Sequence, residues 1–332
     1  MKLKFRIQRL IRYEFWPFWI FYAPFVPLWL WHSVRLRSFT WFTLANPKMY
    51  LGGFMNYSKS EILEPVNEKY KPKTRFFSQR PENLEFYAPD FQFPFVCKPE
   101  SGERGRAVMV IDNQQQWEEC FASLDEPFLL QEYVDWQQEL GVFYYRFPSG
   151  KSGISSVTTK QFLTIEGNGN QTVCELVEDH LRAAPRRNYF QQKWSNKWNT
   201  VLGKNTELLL EPVGNHCKGT TFLNGNHLIN SEMVKLFDQI AAPMNGFFYG
   251  RFDIKVKQLD DLYSGENLKI FEVNGANSEA THIYDPALSL TKAYSDVASQ
   301  LNLMAAICSE NKKRGAQPTP VLTFLKELFS RV

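Results

Sequence analysis

The chain has 332 residues, of which 44% are hydrophobic and 22% charged, with a net charge of +3. That fits a globular protein with one large domain or two ordinary ones, and the weak, dispersed positive charge gives no reason to expect a nucleic-acid partner. The five cysteines (Cys97, Cys120, Cys174, Cys217 and Cys308) are odd in number and widely spaced, with no CxxC pair, which excludes a disulfide framework or zinc site and fits a reducing compartment.

Residues 1–14 read MKLKFRIQRLIRYE. Leu3, Ile7, Leu10 and Ile11 recur at helical spacing, with Lys2, Lys4, Arg6, Arg9 and Arg12 on the polar face. This pattern predicts a basic amphipathic helix that lies on anionic lipid. The stretch 15–34 holds no Asp, Glu, Lys or Arg. It is long enough to cross a bilayer core, yet Pro17, Pro24 and Pro27 interrupt it. Its tryptophans, Trp16, Trp19, Trp29 and Trp31, favour the headgroup boundary. Arg35 and Arg37 restore positive charge, so both flanks are expected on the cytoplasmic side. Residues 1–37 therefore read as a membrane anchor, in-plane or re-entrant in preference to single-pass. A buried soluble helix would not carry three prolines and so many interfacial rings.

Residues 38–92 read as a connector, with a helix start at Ser58, where Glu61 completes a capping box. From Phe93 the pattern changes. Strands are predicted at 93–99, 103–111 and 127–134. An antiparallel pair, 139–147 and 153–163, turns at Pro148–Gly150. Apolar strands bearing charges follow at 246–256 and 267–275. Helices are predicted at 113–124, 172–181, 229–244 (capped by Ser231) and 285–310. The fold class is α+β, with mixed and mainly antiparallel sheets.

Three clusters carry chemistry. Lys98 ends an apolar strand and points a fixed cation out of a sheet. The glycine-rich turn beside it, containing Ser101, Gly102 and Gly105, can bring backbone N–H groups to phosphate oxygens. The strand LLQEYV ends in Glu132, Tyr133 and Val134, with Glu139 opening the next strand. Taken alone, each of these has a bland reading as a surface lysine or a solvated strand-end charge. The third cluster is stronger. Arg251, Asp253 and Lys255 alternate on one strand, as do Glu272 and Asn274 on another, so each set shares a face. On paired strands Asp253, Glu272 and Asn274 can converge as hard oxygen ligands suited to magnesium. Arg251 and Lys255 could neutralise phosphate charge.

In this order the clusters resemble the ATP-grasp superfamily, over 93–285, more than half of the chain. The segment 165–176, IEGNGNQTVCEL, also looks like a stretch of the cyanophycin-synthetase-like amino-acid ligases; D-alanine–D-alanine ligase belongs to the same circle. The resemblance implies an ATP-grasp fold, two α+β subdomains gripping ATP, over 93–310, and a tail with a short helix over 311–332. It implies that Lys98 and Lys160 contact phosphates and that the 100–106 loop closes over them. Glu132, Tyr133 and Val134 would face adenine, and Glu139 the ribose. Asp253, Glu272 and Asn274 would hold Mg²⁺, with Arg251 and Asn277 near the transferred phosphate and the acceptor carboxylate. The implied reaction activates a carboxylate as an acylphosphate, which an amine or a thiol then attacks. The anchor suggests a lipid-linked substrate. Rival readings are a kinase-like phosphotransferase on the same fold and a non-catalytic, membrane-tethered nucleotide-binding protein. The usual N-terminal α/β domain looks reduced or replaced. His216 and His282 read as ordinary polar residues.

Overall fold

A computed structural model describes residues 3–80, 91–100 and 108–329. Among them, strands numbered in chain order form three antiparallel sheets. The first comprises β1 (Thr74–Phe77), β2 (Phe95–Pro99), β3 (Met109–Ile111) and β4 (Phe128–Glu132), in the spatial order β1-β4-β2-β3. The second comprises β5 (Gln138–Arg146), β6 (Ser152–Gln161), β9 (Thr221–Asn224), β10 (Tyr249–Val256) and β11 (Leu268–Asn274), in the order β11-β10-β5-β6-β9. β7 (Leu163–Glu166) and β8 (Glu207–Glu211) make a separate ribbon.

Strand alternation gives each large sheet an apolar face and a polar one. In the five-stranded sheet Leu140, Val142, Phe252 and Ile254 pack against Phe237 and Ile240 of the helix Ser231–Ala241. In the four-stranded sheet Phe95, Cys97 and Leu130 pack against Trp117 and Phe121 of the helix Gln114–Ala122. The polar faces carry the charged residues singled out in the sequence. All five cysteines are free thiols.

Local chemistry explains most element ends. Thr172 and Glu175 form a reciprocal capping box at the helix Val173–Glu178. Ser58 accepts from the Glu61 N–H as expected. The helix predicted over 229–244 is capped by Asn230, not Ser231: the Asn230 side chain accepts from the Met233 N–H at 2.9 Å. The stretch read as an irregular connector contains β1. It pairs with β4 in the register Phe77↔Phe128, where the two rings stack at 4.8 Å.

The N-terminal segment corrects one expectation. No helix among the described residues is long and apolar enough to cross a membrane, so the single-pass form of the anchor is ruled out for them. The prolines are the reason. They divide the apolar run into a helix Phe18–Tyr22, a single 3₁₀ turn and a helix Val26–Arg35. The segment also folds back on the body. Phe21 and Phe25 are buried against Ile283, Tyr294 and Val297, and the Tyr13 hydroxyl donates to the carbonyls of Ile283 and Leu288.

Two contacts fasten this N-terminal half to the strands of the second sheet. Asn46 is fully buried. Its Nδ2 donates to the Gly52 and Tyr249 carbonyls, and its Oδ1 accepts from the Phe248 and Tyr249 N–H groups. Gly53, at φ +76°, lies against Gly275, the residue after β11; a Cβ on Gly275 would sit 2.6 Å from the Gly53 Cα. Only glycine permits that backbone-to-backbone approach. Asn46→Ala should remove the partners of the Phe248 and Tyr249 N–H groups and one acceptor bond each from the Tyr249 and Gly52 carbonyls, of which Gly52 keeps the Ala276 N–H, and destabilise the fold by about 3 kcal/mol. Urea denaturation checks this, and a loss near zero would show that the four bonds do not act as a pin.

Candidate functional site

Asp253, 1% exposed, is the centre of the polar face of the five-stranded sheet. Its carboxylate accepts from Arg251 Nη2 at 2.9 Å, Lys160 Nζ at 3.0 Å and Asn274 Nδ2 at 2.8 Å. Strand register produces this gathering. Asp253 lies opposite Glu272, Arg251 opposite Asn274, and Glu139 opposite Lys160. On β5, Gly141 lies opposite Asp253. A Cβ there would come within 3.1 Å of the Arg251 side chain, so the glycine leaves room for the guanidinium.

The charges stabilise one another. Burial alone would raise the Asp253 pKa, but Arg251 and Lys160 hold it below the usual carboxylate value. Burial likewise works against the Lys160 charge, and Asp253 and Glu139 more than offset it, leaving that pKa above an ordinary lysine. Glu139 accepts from Lys160 Nζ at 2.8 Å. Expected to meet a ribose, it is engaged with this lysine instead.

The two large sheets meet through Lys98. The pairing of β10 with β11 slips after Asp253, leaving Phe271 as the extra residue of a bulge. The Phe271 carbonyl accepts from Lys98 Nζ at 2.8 Å, and Gln131 Oε1 accepts from the same amine at 3.0 Å. A lysine on the four-stranded sheet thus reaches the backbone beside Glu272. Burial lowers the Lys98 pKa to about 8, against the opposing pull of Glu272.

The other expected residues lie around this centre or outside the described residues. Asn277 lies on the loop after β11, near Glu279, whose carbonyl accepts from Arg251 Nη1 at 3.1 Å. Lys255 stands apart from the cluster: its Nζ donates to the Val134 carbonyl at 2.8 Å and lies over the Tyr133 ring. The Glu132 carboxylate is exposed and accepts from the Lys73 N–H at 3.1 Å. Ser101, Gly102 and Gly105 lie outside the described residues.

Several contacts were not anticipated. The Tyr57 hydroxyl donates to Asn274 Oδ1 at 2.8 Å, and nothing in the local sequence marks it. Gln131 shares a face with the strand-end pattern and could have been found by alternation. Glu14 is the only acidic residue in the first 48, which was a signal. It is buried and paired with Arg182, with His216 3.5 Å away. Tyr22 and Tyr284 both donate to the Glu279 carboxylate, so the N-terminal segment reaches the loop that holds Arg251. His282 contacts Ser156 Oγ at 2.7 Å and Asp296 at 3.2 Å. The order of groups is that of a nucleophilic triad, but Ser156 is 1% exposed and has no access to a substrate. The bland reading of His282 stands.

Among the described residues no group of three His, Cys, Asp or Glu gathers as metal ligands. Asp253 and Glu272 are two hard carboxylates on facing strand positions. This suits an ion that keeps water and phosphate oxygens as its remaining ligands. Asn274 already uses its oxygen for Tyr57 and its amide for Asp253, so it fits better as an orienting neighbour.

No family model matches the chain. A curated relative, the formate-dependent phosphoribosylglycinamide formyltransferase of Sulfurisphaera tokodaii, is 28% identical over 130 residues, covering 36% of this chain and 32% of its own. The VanG D-Ala:D-Ser ligase of Enterococcus faecalis superposes with a TM-score of 0.42 at 12% identity, covering 78% of this chain and 62% of the ligase. The D-alanine–D-alanine ligase of Bacillus anthracis complexed with ATP superposes with a TM-score of 0.40 at 14% identity, covering 77% and 66%. These neighbours belong to the superfamily that the sequence resembles. The chain spans about a third of the length of the curated relatives it matches.

The lowered Lys98 pKa has a stability consequence. Between about pH 8 and the ordinary lysine value of 10.5, the unfolded chain holds a proton that the folded protein has released. The Lys98 contribution to stability therefore rises with pH across that window. Lys98→Met should be more stable than the wild type at pH 7, and the difference should shrink toward pH 10. Paired urea titrations measure it; a difference independent of pH would mean that Lys98 titrates normally.

Proposed function

We propose that this protein is an ATP-dependent ligase of the ATP-grasp type, which activates a carboxylate as an acylphosphate and joins it to an amine. The observation that carries the reading is the meeting of Lys98 with β11 beside Glu272, while Arg251 and Lys160 close on Asp253. One cation from the four-stranded sheet and two from the five-stranded sheet lie beside a pair of carboxylates, an arrangement suited to binding a polyphosphate with a hard divalent cation.

In this reading Lys98 and Lys160 bind phosphate oxygens, and Asp253 and Glu272 hold Mg²⁺ with Asn274 orienting Asp253. The ion would supply charge neutralisation for the phosphates. The Val134 carbonyl, fixed by Lys255, and the Tyr133 ring line the strip assigned to adenine. Arg251 stands on the acceptor side, tied to the Glu279 carbonyl, where it can stabilise the charge of a transferring phosphoryl group. No covalent nucleophile on the protein is needed. Catalysis rests on positioning and charge neutralisation.

The site is self-neutralised without a nucleotide: Lys160 and Arg251 both spend their charge on Asp253. Binding would exchange those contacts for phosphate and metal. The sequence also points to the cytoplasmic face of a membrane and a lipid-linked substrate, and the exposed apolar side chains of the N-terminal helices support that location.

Purified protein with ATP, Mg²⁺ and candidate acceptors should release ADP and phosphate. Lys98→Ala, Asp253→Asn and Glu272→Gln should each reduce turnover by about 10²-fold or more. Phosphate appearing on the acceptor as a stable product would mark a phosphotransferase instead, and turnover that survives all three substitutions would remove the site. ATP affinity should also weaken as pH rises through about 8, because the amine that binds phosphate loses its proton there. Lys98→Arg should bind with a flat profile over pH 7–9, as calorimetry can show. A wild type equally flat would mean that Lys98 does not contact the nucleotide.

A further inference from the structure

We infer that the two ends of the chain together form one docking face for an anionic lipid bilayer, with the C-terminal helix Val321–Phe329 as its second half. This deepens the membrane location proposed above and rests on it, but not on the ligase chemistry.

The helix Val26–Arg35 is amphipathic in the wrong sense for a soluble protein. Its inner face holds His32 and Ser33, while Val26, Leu30, Trp31 and Val34 face outward, Trp31 63% and Val34 74% exposed. A surface helix of a globular protein does the opposite. The orientation is fixed by specific bonds. His32 Nε2 meets Asn302 Oδ1 of the helix Leu290–Lys313 at 2.9 Å, while the Ser33 hydroxyl is satisfied within its own helix by the Trp29 carbonyl. The helix Leu3–Ile11 repeats the pattern: Phe5 is buried, and Leu3, Ile7, Leu10 and Ile11 are exposed.

The C-terminal helix Val321–Phe329 has no buried residue. Phe324 holds it against the rings of Phe42 and Phe54, at 5.3 and 5.6 Å. Its other apolar side chains remain outside, with Leu322 81% and Phe329 66% exposed. The two ends adjoin. A groove of about 470 Å³ is lined by Val34, Arg37 and Phe39 on one side and Pro318, Pro320 and Val321 on the other. Thr40 Oγ1 donates to the Thr319 carbonyl, and Thr43 Oγ1 accepts from the Thr319 N–H. The exposed apolar side chains of the helices Val26–Arg35 and Val321–Phe329 therefore adjoin across this groove.

Charge selects the occupant. Glu14, the lone acid of the first 48 residues, is buried against Arg182. Lys4, Arg6, Arg12, Arg35 and Arg37 are exposed around the apolar side chains. A second copy would present the same positive charge and be repelled. An anionic headgroup layer supplies the opposite sign, and its acyl boundary takes the leucines and tryptophans. No helix among the described residues is long and apolar enough to cross a membrane, and the proposed face lies in the surface plane.

The test uses the full chain and phosphatidylcholine vesicles with and without phosphatidylglycerol. The protein should sediment with the anionic vesicles, less so as salt rises. Trp31→Glu with Val34→Glu, and separately Leu322→Glu with Leu325→Glu, should each lower vesicle partitioning by about tenfold. Circular dichroism reports their folding, and ATP turnover in lipid-free buffer should be unchanged in both. A C-terminal pair that partitions like the wild type overturns the composite face. So does sedimentation velocity showing a lipid-free dimer that the same pair converts to monomer. If Lys98→Ala abolishes turnover and still binds vesicles, the two readings stand separately; wild-type protein that turns over ATP and does not sediment with anionic vesicles refutes this face alone.

Discussion

The structure depends on keeping three cationic side chains and two carboxylates away from water between two sheets. Burying a charge costs several kcal/mol unless a partner and hydrogen bonds offset it. Lys160, Asp253 and Glu139 are almost wholly enclosed, and each has an opposite charge within 3.0 Å. Arg251 adds a second cation to Asp253. Lys98 is held by a side-chain amide and a carbonyl, and its proton is the most weakly held of the group. A core built only for stability would fill this seam with apolar residues. Its retention fits a site whose charges are to be exchanged for those of a ligand.

The same constraint explains the irregularities around it. The bulge at Phe271 turns a carbonyl toward Lys98 that a regular ladder would have spent on β10. Gly141 removes a side chain where the Arg251 guanidinium must pass, and the Gly53–Gly275 contact presses the N-terminal half onto the end of β11. Each of these three departures lies beside Asp253, Glu272 or Asn274. Bulges and close backbone approaches cluster where a sheet must aim side chains rather than only pair strands.

Much of this was legible in the sequence, for identifiable reasons. Alternation placed Arg251, Asp253 and Lys255 on one face, and the register of facing strands then brought in Glu272 and Asn274. The hairpin turn at Pro148–Gly150 and the cap at Ser58 followed from local chemistry. Alternation does not say how far a side chain reaches, so Lys255 was assigned to phosphate and instead holds the Val134 carbonyl. Nor does it reveal partners distant in sequence: Tyr57 beside Asn274, Tyr22 beside Glu279, and Arg182 beside Glu14 are tertiary facts. β1 was missed because a four-residue edge strand in a proline-bearing, polar stretch gives too short a pattern to read.

The N-terminal segment joins the two halves of the argument. Its inner face is anchored by polar groups, Tyr13, Glu14, Tyr22 and His32, each bonded to a residue far along the chain. Its outer face is apolar and basic. A segment that only capped the fold would bury its tryptophans and expose its histidine and glutamate. One that only inserted in lipid would not need four long-range polar attachments. Having both, it behaves as an adaptor with one side fitted to the protein. Because Tyr22 grips Glu279, and Glu279 gives its carbonyl to Arg251, the adaptor also touches the acceptor end of the site. Displacing that segment would disturb Arg251 before it disturbed Lys98, because Tyr22 bonds the Glu279 side chain and the Glu279 carbonyl bonds Arg251.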